Sequence, residues 1–243
     1  MKPSAIVIIP ARWKSTRFPG KPLAVIAGKP MLQRVIEQCR KARRITEVFV
    51  ATDDARIFAA ARQFGARAVI TRADHRSGTD RIAEVARKLR ANIFVNVQGD
   101  EPLISPRAID SLAESLARDH ATLMATLACA IRESSEQTNP NVVKVVVDRA
   151  RNALYFSRSM IPFARDAGSS DKIRYLKHLG IYAYRRSFLL RWPRLKPTPL
   201  EQAEKLEQLR ALENGVAIRV LETKWNSVGV DVPGDIPRVE ALL

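Results

Sequence analysis

Cysteine and histidine are scarce, with two and three copies in 243 residues. No paired Cys-x-x-Cys and no His-Glu-x-x-His occurs, so a zinc site has no supporting spacing. No Gly-x-Ser-x-Gly occurs either, which removes the usual signature of a serine hydrolase. A Walker loop needs a glycine five residues before its Gly-Lys pair and a hydroxyl residue after it. Around Gly20-Lys21 those places hold Ser15 and Pro22, and Gly-x-Gly-x-x-Gly is also missing. No apolar run approaches the ~20 residues that span a bilayer, and the N-terminus lacks the apolar core of a signal peptide. A cytoplasmic chain without membrane insertion is the expectation, with Cys39 and Cys129 as inert core thiols. Aromatic residues make up only 6%, and no helix-turn-helix, zinc-finger or RNP-like pattern accompanies the basic residues.

Acidic residues are the minority, 25 against 41 Lys and Arg, for a net charge of +16. The basic residues are dispersed along the chain. Their densest run, Arg40-Lys41-Ala42-Arg43-Arg44, falls at an expected helix end, where cations complement the helix dipole. A solvated basic surface with weak, nonspecific anion binding accounts for this, and no specific nucleic acid is expected as a partner. The charge alone would also suit a nucleic-acid-binding module, whose mark would be a steep salt dependence.

What is present is an alternation of apolar runs and amphipathic stretches. Strands are expected at 5–9, 47–51, 67–70 and 93–97. Helices are expected after Pro30 with Leu32, Val35, Ile36 and Cys39 inward, over 55–64 ending at Gly65, from Thr79 as cap through Ile82, Val85, Ala86 and Leu89, and from Ser105-Pro106. Repeated β-α units of this length predict an α/β fold, a mostly parallel sheet with helices on both faces. The second half is less regular. Strands are expected at 142–147, 179–184 and 217–221, a helix from Pro199 to Glu213, and a last helix from Asp235-Ile236-Pro237. Residues 157–177 read as polar, with a mobile loop at 167–171. No linker divides the chain, so residues 1–243 form one domain.

Chemistry gathers at strand ends. The first strand breaks into Pro10-Ala11-Arg12-Trp13-Lys14-Ser15-Thr16-Arg17-Phe18-Pro19-Gly20-Lys21-Pro22, a loop with four cations. In open α/β sheets ligands bind beyond the carboxyl ends of strands. Arg offers forked contacts to a phosphate chain and Lys a point charge. Gln98-Gly99-Asp100-Glu101-Pro102 follows the 93–97 strand, and Asp100 could share a hard divalent cation with a phosphate; an ordinary turn would also explain the segment. Val228-Gly229-Val230-Asp231 brings a second carboxylate that is equally compatible with turn chemistry. Thr71 to Arg81 offers hydroxyls, a glycine and helix-start N–H groups to a base, ribose or phosphate, or simply caps a helix. His178 precedes a strand and either faces a site or packs in the core. His120, beside Asp119, reads as surface. Glu207 and Gln208 lie on a helical face with Glu201, Glu204 and Lys205 that would ordinarily be solvated.

Ten segments taken together resemble one family in order along nearly the whole chain. They are Ile9-Pro10-Ala11-Arg12, 18–22, Ala51-Thr52-Asp53, 71–79, 96–102, Asn139-Pro140-Asn141, Tyr155-Phe156-Ser157-Arg158, His178-Leu179-Gly180-Ile181-Tyr182, 206–210 and Gly229-Val230-Asp231. The set resembles the 3-deoxy-manno-octulosonate cytidylyltransferases, also called CMP-Kdo synthetases. That resemblance implies a Rossmann-like nucleotidyltransferase fold with a smaller mixed lobe, about 130–200, that helps form the sugar site and a homodimer. It implies the substrates CTP and Kdo, the products CMP-Kdo and pyrophosphate, and a place in lipopolysaccharide synthesis. Arg12 and Lys21 would hold the triphosphate beside Pro10 and Ala11. Arg72, Ser77, Gly78 and Gln98 would contact cytidine. Asp100 and Asp231 would bind Mg²⁺ and, with Arg12 and Lys21, form the catalytic set. Arg158, His178, Tyr182, Glu207 and Gln208 would line the sugar-acid pocket. A cytidylyltransferase for another acidic sugar, such as a sialic acid, is the neighbouring reading.

Overall fold

The first strand carries only apolar side chains from Ala5 to Ile9, so both of its faces must be covered. The computed structural model, which describes residues 5–14, 17–165, 173–226 and 228–243, meets that demand with a two-sided sheet. In chain order the elements begin β1 (Ala5–Pro10), β2 (Val25–Ile26), β3 (Lys29–Pro30), α1 (Met31–Arg40), β4 (Ile45–Thr52), α2 (Ala55–Gln63) and β5 (Arg67–Ile70). They continue with α3 (Gly78–Arg87), β6 (Ile93–Asn96), α4 (Pro106–Arg118), β7 (Met124–Ala130), α5 (Ser134–Thr138), β8 (Lys144–Val147), β9 (Ala153–Ser157) and β10 (Leu176–Arg185). The remainder is α6 (Arg186–Arg191), α7 (Pro199–Glu204), α8 (Leu209–Glu213), β11 (Ile218–Glu222) and α9 (Ile236–Glu240).

The sheet runs β11-β7-β10-β6-β1-β4-β5. β1 pairs in parallel with β4 and β6, β4 with β5, and β7 with β11. β10 lies antiparallel between β6 and β7. The hairpin β8–β9 is joined to β10 where Lys144 faces Lys177. Side-chain alternation divides each central strand between two cores. Val7, Ile9, Val95, Leu179 and Ile181 pack with Leu32, Val35, Ile109 and Leu112 of α1 and α4. Ile6, Ile8, Phe94 and Tyr184 pack on the other face with Ile82, Val85, Phe188 and Trp192. Fully burying one such aliphatic side chain contributes ~1.5–3 kcal/mol, so the two layers dominate the fold's stability. Chain order reverses at β1, with β4 on one side and β6 on the other, which opens a crevice at their carboxyl ends.

Several expectations are corrected in detail. The cap of α3 is Ser77, whose Oγ accepts from the Asp80 N–H at 3.1 Å, and Thr79 is buried inside the first turn. Ser77 is extended, as a cap must be, whereas Thr79 already follows the first helical residue. The 142–147 strand begins only at Lys144, and β7, β9, α5 and α6 were not foreseen. β7 reads Met-Ala-Thr-Leu-Ala-Cys-Ala, with few β-branched residues; burial on both faces, not propensity, makes it a strand. The loop expected at 167–171 lies outside the described residues. The basic run 40–44 is docked on α4: the backbone N–H groups of Arg43 and Arg44 donate to the Asp110 carboxylate, and the Arg44 guanidinium pairs with Glu114.

The single helix expected over 199–213 is two, because Lys205 takes a left-handed conformation with φ 54°. Leu206 and Leu209 are both buried, and the turn lets both reach the same core. Arg210 ties the pieces together through a forked contact to Glu201 at 2.5 and 2.8 Å. A side chain in the left-handed region costs ~1–2 kcal/mol. Lys205→Gly should therefore raise unfolding stability in urea by up to about 1 kcal/mol, and Lys205→Val should lower it. An unchanged midpoint in both variants would remove the strain argument.

Candidate active site

The crevice is built by three chain segments that meet at the end of β1. A Cβ on Gly78 would lie 3.4 Å from Pro10 Cγ, and one on Gly99 would lie 3.3 Å from the Pro10 carbonyl oxygen. Bare backbone at both places lets the start of α3 and the loop after β6 close on β1. The resulting cleft, of about 110 Å³, is lined by Pro10, Ala11, Arg12, His75, Ser77, Gly78, Arg81 and Gln98. Six of the eight expected nucleotide residues therefore stand together. Arg72 does not join them. It faces a neighbouring 600 Å³ hollow and pairs with Asp74 at 3.1 Å, both side chains being exposed. Lys21 lies in the adjoining carboxylate cluster.

Two cleft residues were missed from the sequence, Arg81 and His75. Arg81 is buried, donates to Thr71 Oγ1 at 2.5 Å and lies 3.4 Å from Asp53. Burial and the neighbouring Arg12 lower its pKa while Asp53 raises it, and a guanidinium so placed remains charged. Arg12 itself is exposed. Two like charges facing one small cleft suit an anionic ligand. His75 is held by Glu84, Nε2 to Oε2 at 2.5 Å, and Glu84 also accepts from the Arg72 N–H. Trp13 lies under the Arg56 guanidinium, 3.4 Å from ring centroid to Cζ, and pins the cationic loop against α2.

The acidic residues converge on Lys21. Its Nζ donates to Asp100 Oδ2 at 2.6 Å and to the Val230 carbonyl at 2.9 Å, and lies 3.8 Å from Asp231 Oδ1. Arg17 donates to the same Asp231 oxygen at 3.3 Å. The Val230 N–H donates to the Asp100 carbonyl, and Asp235 accepts from the N–H groups of Asp231 and Val232. The late segment 228–235 is thus stitched beside the loop after β6. Among the described residues no three His, Cys, Asp or Glu side chains form a metal cluster. The donor set does fit a hard cation: two carboxylates surround one cationic position, and Mg²⁺ accepts few carboxylates when phosphate oxygens and water complete its shell.

The second wall comes from β10. His178, Tyr182 and Tyr184 share one face and continue an aromatic ladder from Phe156, at centroid separations of 4.9, 5.4 and 6.0 Å. The Thr126 hydroxyl donates to the Ile181 carbonyl at 2.8 Å, so at its 3.0 Å contact with His178 it is the acceptor. His178 is therefore the Nε2–H tautomer, with Nδ1 as acceptor. Burial pulls its pKa down to about 3. Burial likewise holds the Tyr182 phenol protonated. Glu207 lies beside the Ser77 and Thr79 hydroxyls and near Tyr182 and Tyr184; burial raises its pKa, and its Oε1 is enclosed without a hydrogen-bond partner. Gln208 is buried with its Nε2 likewise unmatched. Arg158 differs from expectation: its Nε and Nη1 donate to the carbonyls of Glu204 and Pro140 at 2.7 and 2.9 Å, which makes it a strut before it is a ligand.

The chain that carries this crevice, with its two guanidiniums, Lys-Asp-Asp cluster and buried wall of polar aromatics, is similar in sequence and fold to known proteins. A family model described as cytidylyltransferase matches residues 6–218. The 3-deoxy-manno-octulosonate cytidylyltransferase of Solibacter usitatus is 54% identical over 97% of this chain and 92% of its own length. That of Geobacter sulfurreducens is 55% identical over 96% of each chain. The chain belongs to the 3-deoxy-manno-octulosonate cytidylyltransferase family. A solved CMP:2-keto-3-deoxy-manno-octonic acid synthetase, complexed with CTP, superposes with a TM-score of 0.93 at 48% identity and covers 98% of both chains. A glucose-1-phosphate thymidylyltransferase from Bacillus anthracis, at 14% identity and TM-score 0.69, shares the fold. The family's nucleotidyltransferase fold is thus the sheet described above.

The buried ionisable groups give two checks. Between pH 6.5 and about 3 an unfolded chain protonates His178 and the folded one does not. Stability therefore falls as pH drops through that window. His178→Gln should flatten this part of the melting-temperature profile; parallel profiles for the two proteins would refute the burial argument. Glu207 has the opposite sign: its raised pKa makes the folded form costly once pH exceeds its ordinary 4.5. Glu207→Gln should melt higher than the parent at pH 7, with the difference shrinking toward pH 4, while turnover of substrate falls.

Proposed function

We propose that this chain transfers CMP from CTP to 3-deoxy-D-manno-octulosonate (Kdo), releasing pyrophosphate and supplying the activated sugar for lipopolysaccharide synthesis. The observation that carries the reading is the meeting of the Arg12–Arg81–Gln98 cleft with the Lys21–Asp100–Asp231 cluster at the ends of β1 and β6. Cytidine would enter the cleft against Pro10, Ser77, Gly78 and Gln98. Arg12, Lys21 and Arg81 would take the triphosphate. Arg72 would swing from Asp74 to reach the nucleotide, an exposed pair of this kind being worth little.

The sugar would lie along the His178–Tyr182 wall. Nδ1 of neutral His178 would accept a hydrogen bond from a sugar hydroxyl, the Tyr182 phenol would donate one, and Glu207 and Gln208 would supply the unmatched oxygen and nitrogen. The remaining N–H groups of Arg158 face an anionic sugar with a forked donor. A Kdo hydroxyl oxygen then bonds to the α-phosphorus, the α–β bridging bond breaks, and the hydroxyl proton is released. Positioning and charge neutralisation suffice for such a transfer. Mg²⁺, held by Asp100 and Asp231, would lower the pKa of the attacking hydroxyl and neutralise the leaving oxygens. Lys21 keeps the two carboxylates together until phosphate draws its ammonium away.

The stretch from about 130 to 200 contributes the sugar wall and, in this reading, a homodimer surface. Exposed Leu154 and Phe163 on it are the kind of apolar groups a second copy would cover. The two cysteines, both free and buried, suit a reducing cytoplasm. No helix among the described residues is long and apolar enough to cross a membrane.

Pyrophosphate release should require CTP, Kdo and Mg²⁺ together, and UTP, ATP or GTP should not replace CTP. Asp100→Asn should lower kcat by at least about 100-fold with melting little changed. Release with a sialic acid but not Kdo would move the chain to a different sugar. Full activity in Asp100→Asn would sink the metal assignment.

A further inference from the structure

Lys144 is wholly buried at the start of β8, and its ammonium has no part in the chemistry above. Its Nζ donates to three carbonyl oxygens, those of Asn139 at 3.0 Å, Val142 at 2.6 Å and Arg158 at 2.5 Å. An ammonium has three donors, so all are matched. Burial depresses its pKa, with Glu204 opposing and Arg158 adding to the effect. Burying a cation for packing alone is unfavourable, and an apolar side chain of similar length would fill the space at less cost. The Asn139 and Val142 carbonyls belong to one turn, closed by the Val142 N–H donating to Asn139, and the Arg158 carbonyl lies just beyond β9, whose Ser157 pairs with Lys144 in the sheet.

Each segment leads to the sugar wall. The 139–142 turn is closed by Asn139, and the next carbonyl, of Val143, accepts from the His178 N–H at 2.8 Å. Arg158 bridges to the carbonyls of Pro140 and Glu204. The Glu204 carboxylate accepts from Ser157 Oγ at 2.6 Å and the Arg158 N–H at 2.9 Å. One residue later the chain turns at Lys205 into Glu207 and Gln208. We propose that Lys144 is a positioning residue, a buried clamp that sets the sugar wall by holding Arg158, the 139–142 turn and the approach to Glu207 in one arrangement. The nucleotide cleft is anchored on β1, α3 and β6 and meets this network only at its far end, where Glu207 lies beside Ser77 and Thr79, so the clamp bears mainly on one substrate. This rests on the function proposed above.

The test compares the parent with Lys144→Met, which keeps the stem and removes the three donors, and with Glu204→Gln, a milder change at the other end of the network. Steady-state rates with CTP and Kdo should show the KM for Kdo raised about tenfold or more in Lys144→Met and less in Glu204→Gln, with the KM for CTP within about twofold. Hydrogen exchange should quicken at 139–143 and 204–208 and stay unchanged at 77–81. Equal rises for both substrates, or a lower melting temperature with unchanged KM values, would overturn the proposal. Should Lys144→Met not fold, Glu204→Gln decides alone: unaltered exchange and unaltered KM for Kdo reject the clamp. Should the parent itself fail to use Kdo, the function is wrong and exchange judges the clamp independently, with uniform exchange rejecting it.

Discussion

Double-sided burial of β1 and β6 is the constraint from which the site follows. Their side chains point alternately into two apolar layers, one under α1 and α4 and one under α3 and α6. Parallel strands so covered can be entered only at their ends. Because β4 and β6 leave β1 in opposite directions, the loops after β1 and β6 part at their carboxyl ends, and the ligand crevice opens there. Everything polar that could do chemistry had to be placed on those loops.

Charge then organises the crevice. Lys21 holds Asp100, the Val230 carbonyl and Asp231 around one ammonium, which keeps two carboxylates of different chain segments from separating. Arg12 and Arg81 face the next cleft, and Arg81 has an aspartate, Asp53, beside it. The arrangement offers positive charge to a phosphate chain and oxygen ligands to a hard cation within one small volume. On the opposite wall the logic inverts. His178, Tyr182 and Glu207 are all driven toward their neutral forms by burial, so that side offers directional hydrogen bonds and little charge. A polyanionic nucleotide and a hydroxyl-rich sugar are complementary to those two walls respectively.

The first half of the fold was legible because its helices announce themselves. α1 places Leu32, Val35, Ile36 and Cys39 on one face, and α2 and α4 end or begin at Gly65 and Ser105-Pro106. The second half was legible only in part: β8, β10, β11 and α9 fall where strands and a last helix were expected, and the rest does not. β7 has weak strand propensity and is a strand because it fills a gap between β10 and β11. The 199–213 stretch is helical in periodicity throughout, and its break at Lys205 follows from the demand that Leu206 and Leu209 reach one core. Of the site, the cationic loop, Gln98 and Asp100 followed from their place after strands. Arg81 was overlooked because a basic residue in the first turn of a helix carries no local sign that it is buried.

The sequence by itself determined the α/β class, the strand ends that carry function and the family, since these depend on local periodicity and on residues adjacent in the chain. Only the tertiary structure decided that Arg158 is a strut, that Arg72 turns away from the cleft, that His178 is the Nε2–H tautomer and that Lys144 is caged by carbonyls. Most of those properties depend on partners 14, 46 and 52 residues away or on burial from both sides. Hydrogen bonding and desolvation act through space, and periodicity along the chain holds no record of either.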